Sequence, residues 1–197
     1  MKKQNKKEND ARFEVRLSGS GGQGLIFAGV LLSEAVGVYG GKNVTQTQSY
    51  GPEARGGASR SDVVISEGTI YYPKAMELDL LMALTQEACD KYYADLKEDG
   101  ILIVDSTYVR LVPTDRAYCL EFTRAARRVA GTPVVTNVVA LGALSAITGI
   151  VDINNLEKVV LGRAPRGTED KNKAALHEGY RMGQELLKQR EAEKAVT

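Results

Sequence analysis

Two strongly apolar stretches in the middle of the chain constrain its fold more than any other feature. The first is LDLLMAL at residues 78–84, and the second is ILIV at residues 101–104. Runs that are apolar on both faces are typical of strands in a parallel sheet covered by helices. Between them, Thr85 is the expected N-cap of a helix that we predict to reach Lys97, with Asp99-Gly100 ending it. A strand, a helix and a strand within about 30 residues predict a right-handed crossover and a parallel sheet.

The remaining elements extend this unit to a full domain. Further strands are predicted at residues 12–17, 43–48, 61–66 and 118–122, and further helices at residues 25–36, 123–130, 137–147, 155–161 and 170–194. The strand at residues 43–48 has little to bury, so we expect it at the edge of the sheet or beneath a partner. We predict an α/β fold of three layers over residues 12–190, with a mostly parallel, Rossmann-like sheet and helices on both faces. A disordered, lysine-rich arm is expected at residues 1–11.

Charge and cysteine content exclude several classes of function. The chain has 26 Lys and Arg against 25 Asp and Glu, so its long-range field does not attract nucleic acid or an anionic membrane. Cys89 and Cys119 are far apart in sequence, and His177 is the one histidine. Zinc and iron–sulfur sites need clustered ligands, so we expect no metal bound by this chain. We expect both cysteines to be small buried residues and His177 to be solvated.

Neither terminal nor internal segments indicate a membrane. The first residues, MKKQNKKEND, lack the apolar core of a secretory signal. Residues 129–151 are uncharged, but Pro133, Thr136 and Asn137 interrupt them, and the remaining apolar piece suits a core or interface helix. We therefore expect no membrane span and a cytoplasmic location, which the two free thiols also favour.

The glycine-rich loop RLSGSGGQGL follows the first strand and precedes a helix. Its Gly19, Gly21 and Gly24 match G-x-G-x-x-G, a pattern that permits close approach of a dinucleotide phosphate to the backbone. A nicotinamide-binding fold also places an acidic residue at the end of the second strand, to bind the ribose hydroxyls. Between Lys42 and Glu53 this sequence has no acid. The glycines therefore serve either an anion or the close packing of a helix or a neighbouring chain.

A second unusual segment is SYGPEARGG at residues 49–57, which combines a tyrosine, a proline, an acid and an arginine among glycines. Together, GSGGQG at residues 19–24 and SYGPEARGG, followed by SDVVIS, resemble the gamma subunit of the 2-oxoacid:ferredoxin oxidoreductases. The resemblance extends from Arg12 to about Leu187. The SYGPEARGG segment is more similar to the 2-oxoglutarate or branched-chain branches than to the pyruvate branch, and we favour 2-oxoglutarate.

The resemblance implies a subunit of an enzyme that converts a 2-oxoacid and coenzyme A to acyl-CoA, CO2 and reduced ferredoxin. Thiamine diphosphate, magnesium and iron–sulfur clusters would lie in partner alpha, beta and delta subunits, the last ferredoxin-like, and coenzyme A would be a co-substrate of the complex. This chain would bind no cofactor and would be inactive alone. An exposed interface of this kind also predicts that the isolated chain self-associates or is poorly soluble.

The resemblance also indicates which residues form the ligand or subunit-interface loops. These are Gly19, Gly21, Gly22, Gln23, Gly24, Ser49, Tyr50, Gly51, Pro52, Glu53, Arg55, Gly56, Gly57 and Arg60. Gln23 would present its amide to a partner or ligand. Arg55, assisted by Arg60, would contact a phosphate or carboxylate or form an ion pair within the chain or with another subunit. We expect none of these residues to be catalytic.

Two other interpretations of the sequence remain open. One is a free-standing enzyme or regulator that binds a nucleotide at the glycine loop. The other is the small subunit of an indolepyruvate:ferredoxin oxidoreductase, which shares the fold.

Overall fold

The computed structural model describes residues 12–49 and 58–196, which form an α/β domain around one six-stranded sheet. The strands are β1 (Arg12–Ser20), β2 (Asn43–Ser49), β3 (Ala58–Ser66), β4 (Leu78–Ala83), β5 (Leu96–Asp105) and β6 (Tyr118–Leu120). Their order across the sheet is β2-β3-β1-β4-β5-β6. Strands β1, β4, β5 and β6 are parallel, whereas β3 is antiparallel to both β1 and β2. The predicted mostly parallel sheet and the edge position of β2 are therefore confirmed.

Six α-helices connect and cover these strands in the described part of the chain. They are α1 (Leu25–Glu34), which a π-helical turn continues over Ala35–Tyr39, α2 (Gln86–Tyr92), α3 (Phe122–Ala130), α4 (Thr136–Thr148), α5 (Ile153–Arg163) and α6 (Glu169–Val196). The arm predicted at residues 1–11 lies outside the described residues. The single-domain boundaries at residues 12 and 190 remain a prediction.

The helix after β4 is shorter than the sequence predicts. Thr85 is its N-cap as expected, since the hydroxyl accepts a hydrogen bond from the Ala88 N–H at 3.3 Å. However, α2 ends at Tyr92, and the predicted end at Lys97 is wrong. Residues 93–95 form a 3-10 turn and β5 already begins at Leu96, because pairing with β4 takes over from helix propensity. Asp99-Gly100 consequently lies inside a strand.

One face of the sheet carries the main apolar core. Val15 and Leu17 of β1 point to this face, together with the helices α1, α3, α4, α5 and α6. Helices α4 and α6 pack at backbone contact: a Cβ added at Gly142 would lie 2.9 Å from the Tyr180 nitrogen, and one at Gly179 would lie 2.7 Å from the Val139 carbonyl carbon. Small residues at this crossing are thus required by the close approach of the two helices.

The opposite face has a smaller core under α2, which includes Leu81, Cys89 and Val104. Helices therefore cover both faces, as predicted, but very unequally. Cys89 is buried as expected, and burial raises the pKa of its thiol to about 11. Cys119 on β6 is exposed, so the expectation of a buried residue is wrong there. The reason is that β6 forms the outer edge of the sheet.

Candidate functional site

A cleft of about 360 Å³ opens where the parallel strands β1, β4 and β5 end. It is lined by Ser20, Gly22, Gln23, Thr85, Tyr108, Thr123, Arg127, Pro133, Val134 and Thr136. In open α/β sheets, ligands bind outside the carboxyl ends of the strands, where neighbouring connections leave in opposite directions. The glycine loop predicted from the sequence thus lies at the position where this fold class most often binds a ligand.

Gly19 is required for the shape of the glycine loop. The Oε1 atom of Gln23 accepts a hydrogen bond from the Ser20 N–H at 2.8 Å and lies over Gly19. A side chain at position 19 would meet this oxygen and would come within 2.9 Å of Leu25 Cδ1. Gln23 therefore uses its amide oxygen to hold its own loop, while its side chain still lines the cleft.

The other loop glycines have different roles. Gly22 and Gly24 have φ angles of 90° and 70°, which only glycine adopts readily. Gly24 is the N-cap of α1, and its carbonyl oxygen accepts a hydrogen bond from Asn137 Nδ2 at 3.0 Å. Gly21 has an ordinary backbone conformation, and no described atom lies within 4 Å of a Cβ added there. A Cβ added at Gly22 also meets no described atom within 4 Å, so Gly21 and Gly22 are the loop positions that leave space for an approaching group.

A buried carboxylate supports the far wall of the cleft. Asp105, fully buried at the end of β5, accepts hydrogen bonds from the Thr123 backbone at 3.1 Å and the Thr123 hydroxyl at 2.5 Å. Its other oxygen accepts from the Thr107 N–H at 3.0 Å. Asp105 thereby fixes the start of α3, from which Thr123 and Arg127 reach the cleft.

The cleft is lined by both polar and apolar groups. Hydroxyl groups and the exposed cation Arg127 line it, and the apolar side chains of Tyr108 and Val134 at its rim are exposed at 45% and 77%. Apolar side chains exposed at the rim of a cleft are typical of a surface that another molecule covers.

Of the SYGPEARGG segment, only its first residue, Ser49, is described. Ser49 ends β2 and pairs with Arg60 of β3. The predicted site residues Tyr50, Gly51, Pro52, Glu53, Arg55, Gly56 and Gly57 lie outside the described residues. Ala58, the first described residue after the segment, pairs with Ser20 of β1. The structure therefore places Ala58, which follows this segment in sequence, next to Ser20 of the glycine loop.

A buried ion network links β1 and β3 on the face of the sheet that α2 covers. The Arg16 guanidinium, 3% exposed, donates two hydrogen bonds to Asp62, at 2.7 and 2.9 Å, and a third to Asp95. Burial alone would lower the pKa of Arg16, but hydrogen bonds and attraction to the two carboxylates outweigh burial and raise the pKa. Arg16 and Arg60 both lie over the Tyr92 ring, 4.9 and 5.5 Å from its centre.

Arg60 and Ala58 connect this network to the chain after SYGPEARGG. Arg60 Nε lies 3.8 Å from Asp62, and the Tyr92 hydroxyl donates to the Ala58 carbonyl oxygen at 3.3 Å. Glu87 accepts from the Ala58 N–H, also at 3.3 Å. Both backbone groups of Ala58 are thus bound by side chains of α2.

Several of these residues were not predicted as site residues. Asp105 with Thr123, and Asn137 with Gly24, are brought together only by the fold. The sequence signal available for Asp105 was its position after an apolar strand, which many residues without a function share.

The described residues contain neither a group of metal ligands nor a helix that could span a membrane. Among residues 12–49 and 58–196, no group of three or more His, Cys, Asp or Glu side chains is arranged to hold a metal ion. None of the helices in the same ranges has the length and apolar character needed to cross a membrane.

Comparison with known proteins relates this architecture to one family. The family model for pyruvate ferredoxin/flavodoxin oxidoreductase matches residues 14–182. The 2-oxoglutarate synthase subunit KorC of Methanocaldococcus jannaschii is 48% identical over 189 residues, which cover 92% of this chain and 100% of that subunit. The KorC subunit of Methanothermobacter thermautotrophicus is 42% identical over 186 residues, covering 90% and 96% of the two chains.

A solved structure gives the same relation. The gamma subunit of a keto/oxoacid ferredoxin oxidoreductase from Geobacter sulfurreducens superposes with a TM-score of 0.82 at 46% identity, covering 89% of this chain and 98% of that one. The family-model match over residues 14–182 includes the glycine loop and the residues that line the cleft. This chain belongs to the pyruvate ferredoxin/flavodoxin oxidoreductase family.

Proposed function

We propose that this chain is the gamma subunit of a 2-oxoglutarate:ferredoxin oxidoreductase. The observation that carries this proposal is the 48% identity to a 2-oxoglutarate synthase subunit along that subunit's entire length. The reaction of the complex would convert 2-oxoglutarate and coenzyme A to succinyl-CoA and CO2, with two electrons passed to ferredoxin. The family relation and the motif SYGPEARGG both support a 2-oxoacid as substrate.

In this proposal the chain contributes a surface and not the reacting groups. Alpha, beta and ferredoxin-like delta subunits would hold thiamine diphosphate, magnesium and the iron–sulfur clusters. The identity to a single named subunit of 2-oxoglutarate synthase supports that division of roles. We propose that the complex is located in the cytoplasm.

The glycine loop and the end of the SYGPEARGG segment would face a catalytic subunit or coenzyme A. The open space at Gly21, the cation of Arg127 and the apolar rim of the cleft support this orientation. Arg127 can donate paired hydrogen bonds to a phosphate or carboxylate. Arg55 and Arg60 would contribute further positive charge, through contacts with coenzyme A, with another subunit or within the chain.

The first experiment tests the assembly and the substrate together. The chain is tagged in its own host and purified gently without oxygen. Its partners are identified, and coenzyme A-dependent reduction of ferredoxin or viologen is measured with several 2-oxoacids. We expect larger partners, iron–sulfur absorbance and the highest rate with 2-oxoglutarate. A lone chain carrying a nucleotide would overturn the proposal, and a preference for indolepyruvate would move the complex to that branch.

A second experiment tests whether the glycine loop is a contact surface. Gly21→Ala places a methyl group where no atom of the described residues lies within 4 Å, so the unfolding of the isolated protein should not change. If a subunit or coenzyme A lies against the loop, the variant should weaken assembly or raise the KM for coenzyme A.

Gly162→Ala is the matched control, because its added methyl group also meets no described atom but lies on α5, away from the loop. Equal behaviour of the two variants in assembly and kinetics would count against a contact at Gly21. Arg55→Ala in the reconstituted complex then separates coenzyme binding, seen in the KM, from a subunit contact, seen in assembly.

A further inference from the structure

The two edges of the sheet are protected very differently. At one edge, β6 is only three residues long, and Arg190 of α6 donates to the Arg116 carbonyl oxygen at 2.9 Å and to that of Ala117. The same guanidinium lies 4.0 Å from the centre of the Tyr118 ring. A short strand covered by an arginine is a common means of blocking an edge.

The edge at β2 has none of these protections. This strand is seven residues long, NVTQTQS, with no charge and no proline. Two of its central side chains form hydrogen bonds within the chain. Gln46 donates to the Ser61 hydroxyl at 2.8 Å, and Thr45 donates to the Pro73 carbonyl oxygen at 3.3 Å. Within the described ranges, no strand pairs with its outer side. An uncharged edge of this length is a ready template for another strand.

A groove runs along this edge between β2 and the helix above it. The strand side of the groove includes Val44 and Gln46, and the helix side includes Val30, Ser33, Gly37 and Val38. Its charged lining residues are Lys42, just before β2, and Glu34 and Arg163, and each is in an ion pair within the chain. The middle of the helix side is small, whereas Phe27 and Val38 towards its two ends are 41% and 74% exposed. The Ser33 hydroxyl oxygen is shielded from solvent but has no hydrogen-bond partner among the described residues. Such a buried unpaired hydroxyl indicates an incomplete surface.

We propose that a second copy of this chain occupies this edge, with β2 pairing antiparallel to β2 about a two-fold axis. Like charges directly opposite each other destabilise cross-strand pairs. The seven residues of β2 carry no charge, so pairing β2 with its own copy creates no such repulsion. The same axis sets the helix stripe antiparallel to its copy, so that Phe27 of one chain lies near Val38 of the other. An interface with one patch on both subunits is the usual form of a two-fold dimer.

The strand and the helix stripe support this occupant independently, because each is self-complementary under the same rotation. Pairing would join two six-stranded sheets into one continuous sheet. The cleft lies at the ends of β1, β4 and β5 and would remain open. The proposal therefore does not depend on the proposed function, and the residues that line the cleft are not among those that line the edge groove.

Cysteine cross-linking of the isolated full chain tests the pairing directly. Residues 44–48 are replaced one at a time by Cys, in a Cys119→Ser background. In an antiparallel two-fold pair, equal residue numbers meet only at the axis, where the Cβ atoms come within about 5.5 Å. We expect a disulfide dimer at one position and a steep loss on either side. Unmodified Cys119, exposed at the protected edge, is the control and should form no dimer.

A charge introduced on β2 tests the same interface, with dimer formation measured by sedimentation. Gln48→Lys changes an exposed residue of β2, and Gln184→Lys makes the identical change on the exposed side of α6. Sedimentation should give a dimer for the native chain and for Gln184→Lys, and a dimer dissociation constant raised about tenfold or more for Gln48→Lys. A native chain that stays monomeric up to its solubility limit, cross-linking equal at all five positions, or a dimer that Gln48→Lys leaves unchanged would each overturn the proposal.

Discussion

On one face of the sheet, Val15 and Leu17 lie under a continuous apolar layer of five helices; on the other face, Arg16 from the same strand lies buried against Asp62. The first face is stabilised by removal of apolar surface from water, which needs no exact geometry. The second needs each charge to meet its partner, because an unpaired buried charge is very costly. Neighbouring residues of one strand thus depend on different forces, and the two faces should respond differently to mutation.

The charged face also reaches the site. Asp62 and Arg60 lie on the strand that follows SYGPEARGG, and Tyr92 binds the Ala58 backbone at its start. The apolar face reaches the site through Asn137, whose amide holds the N-cap of α1. The cleft is therefore built where the two kinds of support meet.

The largest expected effect comes from breaking the buried ion pair. Arg16→Met removes both hydrogen bonds from Arg16 to buried Asp62, leaves it only the more distant Arg60 and should lower the free energy of unfolding by about 3 kcal/mol. The double variant Arg16→Met/Asp62→Leu removes both charges and should recover most of that loss. Urea unfolding of both variants measures the difference. A double variant as unstable as the single one would show that this face depends on the pair itself and not on avoiding a lone charge.

A smaller effect is expected where α4 and α6 touch on the apolar face. Gly142→Ala forces a methyl group into the α6 backbone and should destabilise the protein by about 1–3 kcal/mol. The same substitution at Gly162, where the added Cβ meets no described atom, should stabilise it by about 0.5–1 kcal/mol, because alanine favours the helix. Thermal or urea unfolding gives both signs. If both variants gain stability, the crossing is looser than the structure indicates.

The smallest effect concerns an ion network on the outside of α6. Hydrogen bonds from Arg181, and then from Arg128, lower the pKa of Glu178 in the folded protein despite its partial burial. A lowered pKa gives stability that is complete above the unfolded glutamate pKa and is lost as the pH falls through the folded value. Glu178→Gln should therefore lower the free energy of unfolding by up to about 1 kcal/mol at neutral pH and leave it unchanged in strong acid.

Unfolding of the native protein and the Glu178→Gln variant across that pH range checks the sign. A difference that grows as the pH falls would contradict the assignment. The side chains of Arg181 and Arg128 are half exposed, whereas Arg16 is buried. Comparing the two variants would show how much less an ion pair contributes to the free energy of unfolding when its cations are exposed to solvent.

Most strands and helices were predictable because their signals are local. The apolar runs at residues 78–84 and 101–104 predicted β4 and β5, and Gly131 marked the end of α3, where it has a φ of 71°. The end of α2 was not predictable, because pairing of Leu96 with Leu78 across the sheet decided it. The exposure of Cys119 likewise depended on which strand became the edge.

The glycine loop shows the same division within the site. Its position between a strand and a helix, and the family resemblance, were visible in the residues themselves. The separate roles of Gly19, under the Gln23 amide, and Gly21, beside open space, required the folded loop. The expected role of Gln23 towards a partner was drawn without knowing that its oxygen already binds Ser20.

The sequence by itself determined the fold class, the location of the glycine loop and the family, since periodic apolar residues, turn glycines and two short motifs are written along the chain. Only the tertiary structure decided which charges are buried together, which helices touch at glycine and which edge of the sheet is open. Those properties depend on residues distant in sequence, such as Arg16 and Asp62, and on the strand register that places them side by side.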